Sequence, residues 1–389
     1  MIESHRPRRS QMTLLLLPLM GLALLPLVGC PFVPPQTDPS ATFPTSLHAT
    51  RDGKQTFYEA SDGFATLTNV AYDNLPCKDC HAATLADGTA VDAATYEPSC
   101  ADCHVDPDNP TGDVADATCL GCHSRQGAEQ NLFTDVHRTA GMECVDCHSA
   151  LEMHGNGTEY ASFLAAGASD TACDNCHVSG GTAPAPPSTV TAHAIHLDKL
   201  DCSACHVASV SSCYNCHFET EAAHVGKRWF NQAPRTGFKM LMNFNGKVHT
   251  ASFQALSYED KTFVAIAPFF GHSITAAASG CGDCHRQNGA GNANVEEYNT
   301  TGKILVTDWN AAAEGANRLV GPTGVIPVPP DWQTALEFAF LDYTGDATDA
   351  ISKEDNLPLW DFLKNTADGS HIVYGSPLTE AQMNALIDN

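Results

Sequence analysis

Hydrophobic positions are unevenly spread along this chain. Met12 to Val28 is one apolar run behind Arg6, Arg8 and Arg9, too short and too close to the start to favour a membrane span. Pro31 to Pro44 is proline-rich and predicts a semi-extended tether. Apolar and polar residues alternate near Phe64 to Val70, which predicts a strand followed by a turn at Tyr72-Asp73-Asn74. From Cys77 to Val190 there is no isoleucine, and Ala, Asp, Gly and Thr dominate. Loops and short helices such as Glu159 to Ala166 are expected there, with Gly180 to Ser188 as a linker. Large side chains return at Phe238 to Phe244 and Lys261 to Phe270. Phe263, Val264, Ile266, Phe269 and Phe270 read as strand, a small β insert near 236–275. Later, Asp331 to Asp342 reads as a helix entered from Pro329-Pro330, and Thr379-Glu380-Ala381-Gln382 as the capping-box start of a last one.

A stretch this poor in large apolar residues needs bulk and cross-links from elsewhere. Eight copies of one word, Cys-x-x-Cys-His, lie inside it or just beyond. They are Cys77/Cys80/His81, Cys100/Cys103/His104, Cys119/Cys122/His123, Cys144/Cys147/His148, Cys173/Cys176/His177, Cys202/Cys205/His206, Cys213/Cys216/His217 and Cys281/Cys284/His285. Zinc sites, disulfide frameworks and thioredoxin-like centres also use paired cysteines, but none needs a His straight after the second. Histidine is 18 of 389 residues, so eight such coincidences have odds of roughly one in 10^10 or less. The word is the signature of covalent c-type haem: the thiols bond the macrocycle and the adjacent His becomes the proximal iron ligand. Eight copies of haem c, at about 26 residues per word, would themselves form the core.

First-cysteine spacings of 23, 19, 25, 29, 29, 11 and 68 rule out a strict repeat array. The 11-residue step predicts that the Cys202 and Cys213 haems lie in contact, and the linker near 180–190 suggests clusters of five and three. Ten histidines lie outside the words. His5 goes with the leader and His371 sits in the cysteine-free tail, where a structural or exposed role is expected. The remaining eight, His48, His137, His154, His193, His196, His224, His249 and His272, equal the irons in number and lie in or beside their region. They are the expected distal ligands. Such double histidine ligation saturates the iron and favours electron transfer at low potential.

The formal charge is −25, and the three Arg and one Glu of residues 1–29 leave −27 without them. That excess argues against nucleic acid and anionic lipid surfaces, and suits solubility or docking to a basic redox partner. Leu27-Val28-Gly29-Cys30 resembles the lipobox of bacterial lipoproteins, which implies a signal peptide over 1–29 and lipidation at Cys30. That cysteine is the one outside the words. The implied location is exported and lipid-anchored, with the outer membrane favoured, at its periplasmic or cell-surface face. Asp106-Pro107-Asp108 is not a calcium loop, because Pro110 and the missing terminal Glu break the pattern.

The eight words, the His193-x-x-His196 pair before Cys202, and Cys213-Tyr-Asn-Cys-His217 resemble a bacterial multihaem c-type cytochrome of eight haems. The resemblance covers roughly residues 48–285. It implies a multihaem cytochrome c fold, mostly loops and short α-helices packed around eight covalent haems, with a small β insert. Residues 1–29 are then the signal peptide, 30–47 the lipidated Cys and tether, 48–285 the octahaem domain, and 286–389 a small helical cap without cysteine. The function it implies is electron transport at the cell envelope in anaerobic respiration, with redox proteins as partners and the membrane reached by the lipid anchor alone. No catalytic residue is assigned. The alternative is an octahaem reductase of nitrite, hydroxylamine or tetrathionate at one open haem. Such enzymes often mark that haem with a Cys-x-x-Cys-Lys word, absent here, though Lys199 or Lys227 could serve. A subunit of a cytochrome complex or filament is a third reading.

Overall fold

The computed structural model describes residues 38–388 except 61–62, 77–80, 82, 93, 107–113, 232–234, 288–289 and 352–356. The signal peptide, Cys30, Cys77 and Cys80 therefore lie outside the described residues. Among the described residues no helix is long and apolar enough to cross a membrane.

Where the sequence is rich in large apolar residues it forms a six-stranded sheet. Its strands are β1 (Val210–His217), β2 (Arg235–Phe244), β3 (Lys247–Tyr258), β4 (Lys261–Pro268), β5 (Gly324–Pro327) and, after two further strands, β8 (Gly369–Ile372). Their order is β5-β2-β1-β3-β4-β8, with β2 and β3 also paired. Asn245 and Gly246 both take positive φ (50° and 80°) and join β2 to β3; Glu259 and Asp260 (45° and 61°) join β3 to β4. Both are two-residue turns of the hand that matches strand twist. The hairpin registers are regular, with Phe244 opposite Lys247 and Tyr258 opposite Lys261. A separate ribbon, β6 (Phe340–Tyr343) against β7 (Trp360–Lys364), packs into the same core.

That core buries Phe238, Met240, Phe253, Ile266, Phe340 and Trp360. The N-terminal segment lays Tyr58, Phe64, Tyr72 and Leu75 against Phe218, Leu256 and Phe263. The last helix, Glu380–Ile387, contributes Met383 to a third cluster with Leu241 and Val325.

Several expectations change. The β structure is a central sheet reaching back to Val210, not a small insert near 236–275. Residues 286–389 supply two of its strands and are not a small helical cap. In Asp331 to Asp342 the helix is confined to Trp332–Ala335. Phe338, Ala339, Phe340 and Leu341 are all buried, and a helix with no polar face would not fit one side of a sheet. Phe64–Thr68 is a helix rather than a strand. Phe64 and Thr68, four apart, are its buried face, and Asn69 ends it with φ 53°. Glu159 to Ala166 forms turns, with Ser162 Oγ accepting from the Leu164 N–H at 3.2 Å. Strand β4 stops at Pro268, before Phe269 and Phe270.

Candidate metal centres: six facing histidine pairs

Six of the eight words are single helical turns. Those starting at Cys100, Cys144 and Cys173 open 3-10 turns, and those at Cys119, Cys202 and Cys281 lie in short α-helices. The His N–H donates to the carbonyl of the first Cys at 2.8–2.9 Å in the words of His104, His123, His148, His177 and His285. Positions i, i+3 and i+4 of a helical turn share one face, so both sulfurs and the imidazole project together. Four words place Asp before the second Cys, and three of these lie among the described residues. Asp102, Asp146 and Asp283 accept the backbone N–H of Ser99, Glu143 and Gly280 at 2.7–2.8 Å, closing the turn from inside.

Several of the cysteines lie at the surface of the polypeptide, most clearly Cys122. This second cysteine of the Cys119 word is the last residue of the helix Asp116–Cys122, which buries none of its residues. Cys122 is exposed, as are Cys100, Cys103, Cys147, Cys173 and Cys281. A thioether at Cys122 would therefore hold its macrocycle against the surface of a short helix. The physical reason is composition: Asp116-Ala-Thr-Cys-Leu-Gly-Cys122 has a single large apolar side chain, too little to draw the turn inward.

Each of these six histidines faces another. The pairs are His123 with His48, His104 with His154, His177 with His137, His148 with His272, His206 with His193, and His285 with His196. Ring centroids are 6.0–6.3 Å apart in all six. An imidazole nitrogen lies about 2.0–2.1 Å from a bound transition metal and about 1.1 Å from its own ring centre, so two rings across one ion have centres about 6.2 Å apart. The interplanar angles vary from 30° to 63°, which rotation about a shared axis permits. This is neither stacking contact nor random separation.

Six of the twelve Nδ1 atoms are anchored by hydrogen bonds. His177, His193, His196, His206 and His285 bond the carbonyls of Pro184, Pro187, Ala192, Thr275 and Ala385 at 2.9–3.2 Å. His148 Nδ1 bonds Glu152 Oε2 at 2.6 Å. With Nδ1 held, Nε2 is the nitrogen turned to a ligand, as second-shell support of metal-binding histidines requires. Burial holds His48 and His154 below the ordinary imidazole range, toward the neutral form that ligates. Glu152 behaves oppositely. Burial pushes its carboxyl up, but hydrogen bonds from His148, Ser169 and Thr171 outweigh that and hold it at about 2.

The words also touch in sequence order. Cys103 lies near Cys119, whose sulfur hydrogen-bonds Cys144; Cys147 lies near Cys176; Cys173 hydrogen-bonds Cys202; and Cys205 lies near Cys281 and Cys284. The Cys173–Cys202 contact joins the words on either side of the stretch read as a linker. The Pro184 and Pro187 carbonyls of that stretch hold a histidine on either side. Lys239, buried, donates to the Ala204 carbonyl and Ser279 Oγ beside the last of these junctions.

Two words stand apart. Cys77 and Cys80 lie outside the described residues, and the His81 ring sits 5.1 Å from Tyr96. Cys213 to His217 lies in strand β1, with Asn215 at φ 52° and a register irregularity between Cys213 and Cys216. Tyr214 and Asn215 turn inward, and Asn215 exchanges two hydrogen bonds with Leu341. The buried His217 ring lies 5.4 Å from Tyr343 and 6.2 Å from Trp360, and burial pushes its pKa down to about 4. The Cys202 word has Cys173, Cys281 and Cys284 as cysteine neighbours; no such contact joins it to Cys213 among the described residues.

Of the eight expected distal ligands, six are those in the pairs. His224 is exposed at φ 57°. His249 is buried against Phe244 and Phe270, its Nδ1 at 2.7 Å from the Thr250 carbonyl and its Nε2 at 3.6 Å from Asp201. Neither faces a proximal imidazole among the described residues. His371 is buried among Phe57, Phe64 and Phe263. Compared with family models, curated proteins and solved structures, the chain matches none.

The residues present fit haem. Between Leu75 and Ala204 no described apolar side chain is buried, whereas Val105, Leu132, Val145, Leu151, Phe163, Val178, Val190, Ile195 and Leu197 are exposed. Nine large apolar side chains beside six imidazole pairs form a surface suited to an apolar macrocycle. Among the described residues no three of His, Cys, Asp and Glu converge on one point, and two axial side chains are what a porphyrin iron requires. The missed supporting residues are Glu129, Asp135 and Glu152. Glu152 was legible at i+4 from His148; Glu129, 143 residues from His272, was not.

Proposed function

We propose that this chain is an electron-transfer protein carrying c-type haem at its words. Electrons would pass along the series that starts at Cys100 and runs through the words of Cys119, Cys144, Cys173 and Cys202 to Cys281. The observation that carries the reading is the set of six imidazole pairs at 6.0–6.3 Å, on words that neighbour one another in sequence order. Bound haem would supply a reversible one-electron couple. The chain's own part is to hold both axial positions with imidazole, which leaves those irons closed to substrate. Carbonyls and carboxylates at Nδ1 fix the rings, and short helical turns hold consecutive words in contact. Export, lipidation at Cys30 and docking to envelope redox proteins belong to the same reading, supported by the leader and the acidic charge.

The test is the haem count by mass together with the EPR spectrum of the oxidised protein. Eight haems, at least six of them low-spin, is the expected result. Fewer than six bound haems, or six irons that are high-spin, would overturn the reading. Loss of palmitate labelling in Cys30→Ala tests the anchor.

A second reading has a specific observation in its favour. His217 faces Tyr343 and Trp360 and no imidazole, so an iron on His217 is where an octahaem reductase would keep its open site. A high-spin signal of one iron, perturbed by nitrite or hydroxylamine and lost in His217→Ala, would favour that enzyme over the simple carrier.

A further inference from the structure

We propose that Glu152 and Glu129 together make the haem of the Cys144/Cys147/His148 word the lowest-potential centre of the series. The inference rests on the proposed haem ligation and adds an order of potentials to it. Among the described contacts, His148 and His272 are the pair with a carboxylate at Nδ1 of both rings. Glu152 Oε2 lies 2.6 Å from His148 Nδ1. Its other oxygen accepts from Ser169 Oγ at 2.5 Å, the Asp170 and Thr171 N–H groups at 3.1 and 2.9 Å, and Thr171 Oγ1 at 2.7 Å. An oxygen surrounded by donors marks an ionised, acceptor-only carboxylate, and leaves Oε2 to the imidazole.

On the opposite face Glu129 Oε2 lies 3.5 Å from His272 Nδ1, near enough for its charge to act there although Nδ1 makes no hydrogen bond among the described residues, and it accepts the His272 backbone N–H at 2.9 Å. Its Oε1 accepts from Ser211 Oγ at 2.8 Å, and the residue is 1% exposed. The other anchored rings bond neutral carbonyls. His137 is intermediate: Asp135 Oδ1 lies 3.6 Å from its Nδ1, while its partner His177 bonds the Pro184 carbonyl. A carboxylate draws the ring proton more strongly than a carbonyl and makes the imidazole a better donor to iron, which favours the ferric state. Negative charge beside the site acts in the same direction, and burial screens it little. The hydrogen bond acts on His148 and the negative charge on both ligands of one centre, the third of six in the series. Electrons entering at either end would meet an uphill step inside the chain.

Either glutamate could instead be a structural tie, since Glu152 gathers residues 169–171 and Glu129 reaches β1. The deciding readout is therefore potential. In the haem-loaded full chain, an EPR-monitored redox titration should show that the low-spin centre lost in His272→Ala is the last to be reduced. Glu152→Gln should raise that centre by at least tenfold in its reduction equilibrium, about 59 mV for one electron. Glu129→Gln in the same chain should raise it further at unchanged haem count, and Asp135→Asn should move a different centre by less. The proposal fails if the centre lost in His272→Ala is not the lowest, or if a fully loaded Glu152→Gln protein leaves every potential in place. Should Glu152→Gln load poorly, the His272→Ala assignment still decides. Failure to find low-spin haem at all would instead sink the underlying ligation.

Discussion

Residues 77–203 and residues 204–388 solve the same problem in opposite ways. The second region buries Phe253, Phe263, Ile266 and Trp360 completely and folds around its own side chains. The first buries no described apolar residue, yet orders its short turns through caps, backbone bonds and histidines placed about 6 Å apart. Its buried side chains are polar: Glu129, Asp135 and Ser162. Glu129 and Asp135 bond the His272 and Ile274 backbone of the other region. The comparison teaches that order and self-sufficient packing are separable. A segment can have defined geometry while its apolar side chains stay uncovered by its own chain.

The strongest way to break this contrast is to withhold haem. Expression without haem attachment should leave 77–203 open to proteolysis within the time that the loaded protein resists. Peptides from β2 to β4 should keep most of their hydrogen-exchange protection. Equal loss of protection in both regions would mean that the sheet, too, depends on the cofactor. Next in size is the reverse experiment. Trp360→Ala removes a fully buried ring that contacts Phe230, Tyr343 and His217, and should cost about 3–5 kcal/mol of denaturant stability. The six low-spin signals should persist below the transition.

How much of this was readable in the residues follows from range. The words are local, so five positions disclose two paired sulfurs and a histidine, but not their turn, since the Cys213 word lies in a strand. The exposure of Cys122 accords with the single large apolar side chain of its helix, which the residues themselves disclose. Of the eight histidines expected opposite those of the words, six lie in the facing pairs, so that set was legible in part. Their partners were not, because His48 reaches His123 and His148 reaches His272 through the tertiary path of the chain. The Asn245-Gly246 turn between alternating strands is a short-range signal that was present and unused. Strand β1 was hidden for another reason. Cys213 to His217 has the same word as the helical turns, and what differs is its surroundings: Val210 and Tyr214 belong to the sheet core. The tail misled because Leu336, Phe338, Phe340 and Leu341 suit a helix by composition, and only the sheet they complete decides otherwise.

A smaller effect should follow from a distal ligand. His154→Ala vacates the position facing His104 at the start of the series. One low-spin iron should become high-spin with the haem count intact, and global stability should fall by less than for Trp360→Ala, since the ring is only partly buried. An unchanged spectrum would show that His154 does not ligate.

The smallest effect probes the seam between the two regions. Thr379 Oγ1 accepts the Gln382 N–H at 3.2 Å and Gln382 Oε1 accepts the Thr379 N–H at 2.8 Å, a reciprocal cap on Glu380–Ile387. That helix packs Met383 against the sheet cluster, and its Ala385 carbonyl accepts from His285 Nδ1 at 2.9 Å. It therefore belongs to both modes of folding: its apolar side is held by side chains, and one of its backbone carbonyls orients the histidine of the Cys281 word. Thr379→Ala should lower stability by about 1 kcal/mol, read as a fall in Tm of the loaded protein. Fraying of the same turn should loosen His285, so the low-spin EPR signal assigned to that iron by His196→Ala should shift or broaden while the other five hold. A drop in Tm with all six signals unmoved would confine the cap to the sheet and leave the seam to contacts such as those of Glu129 and Asp135.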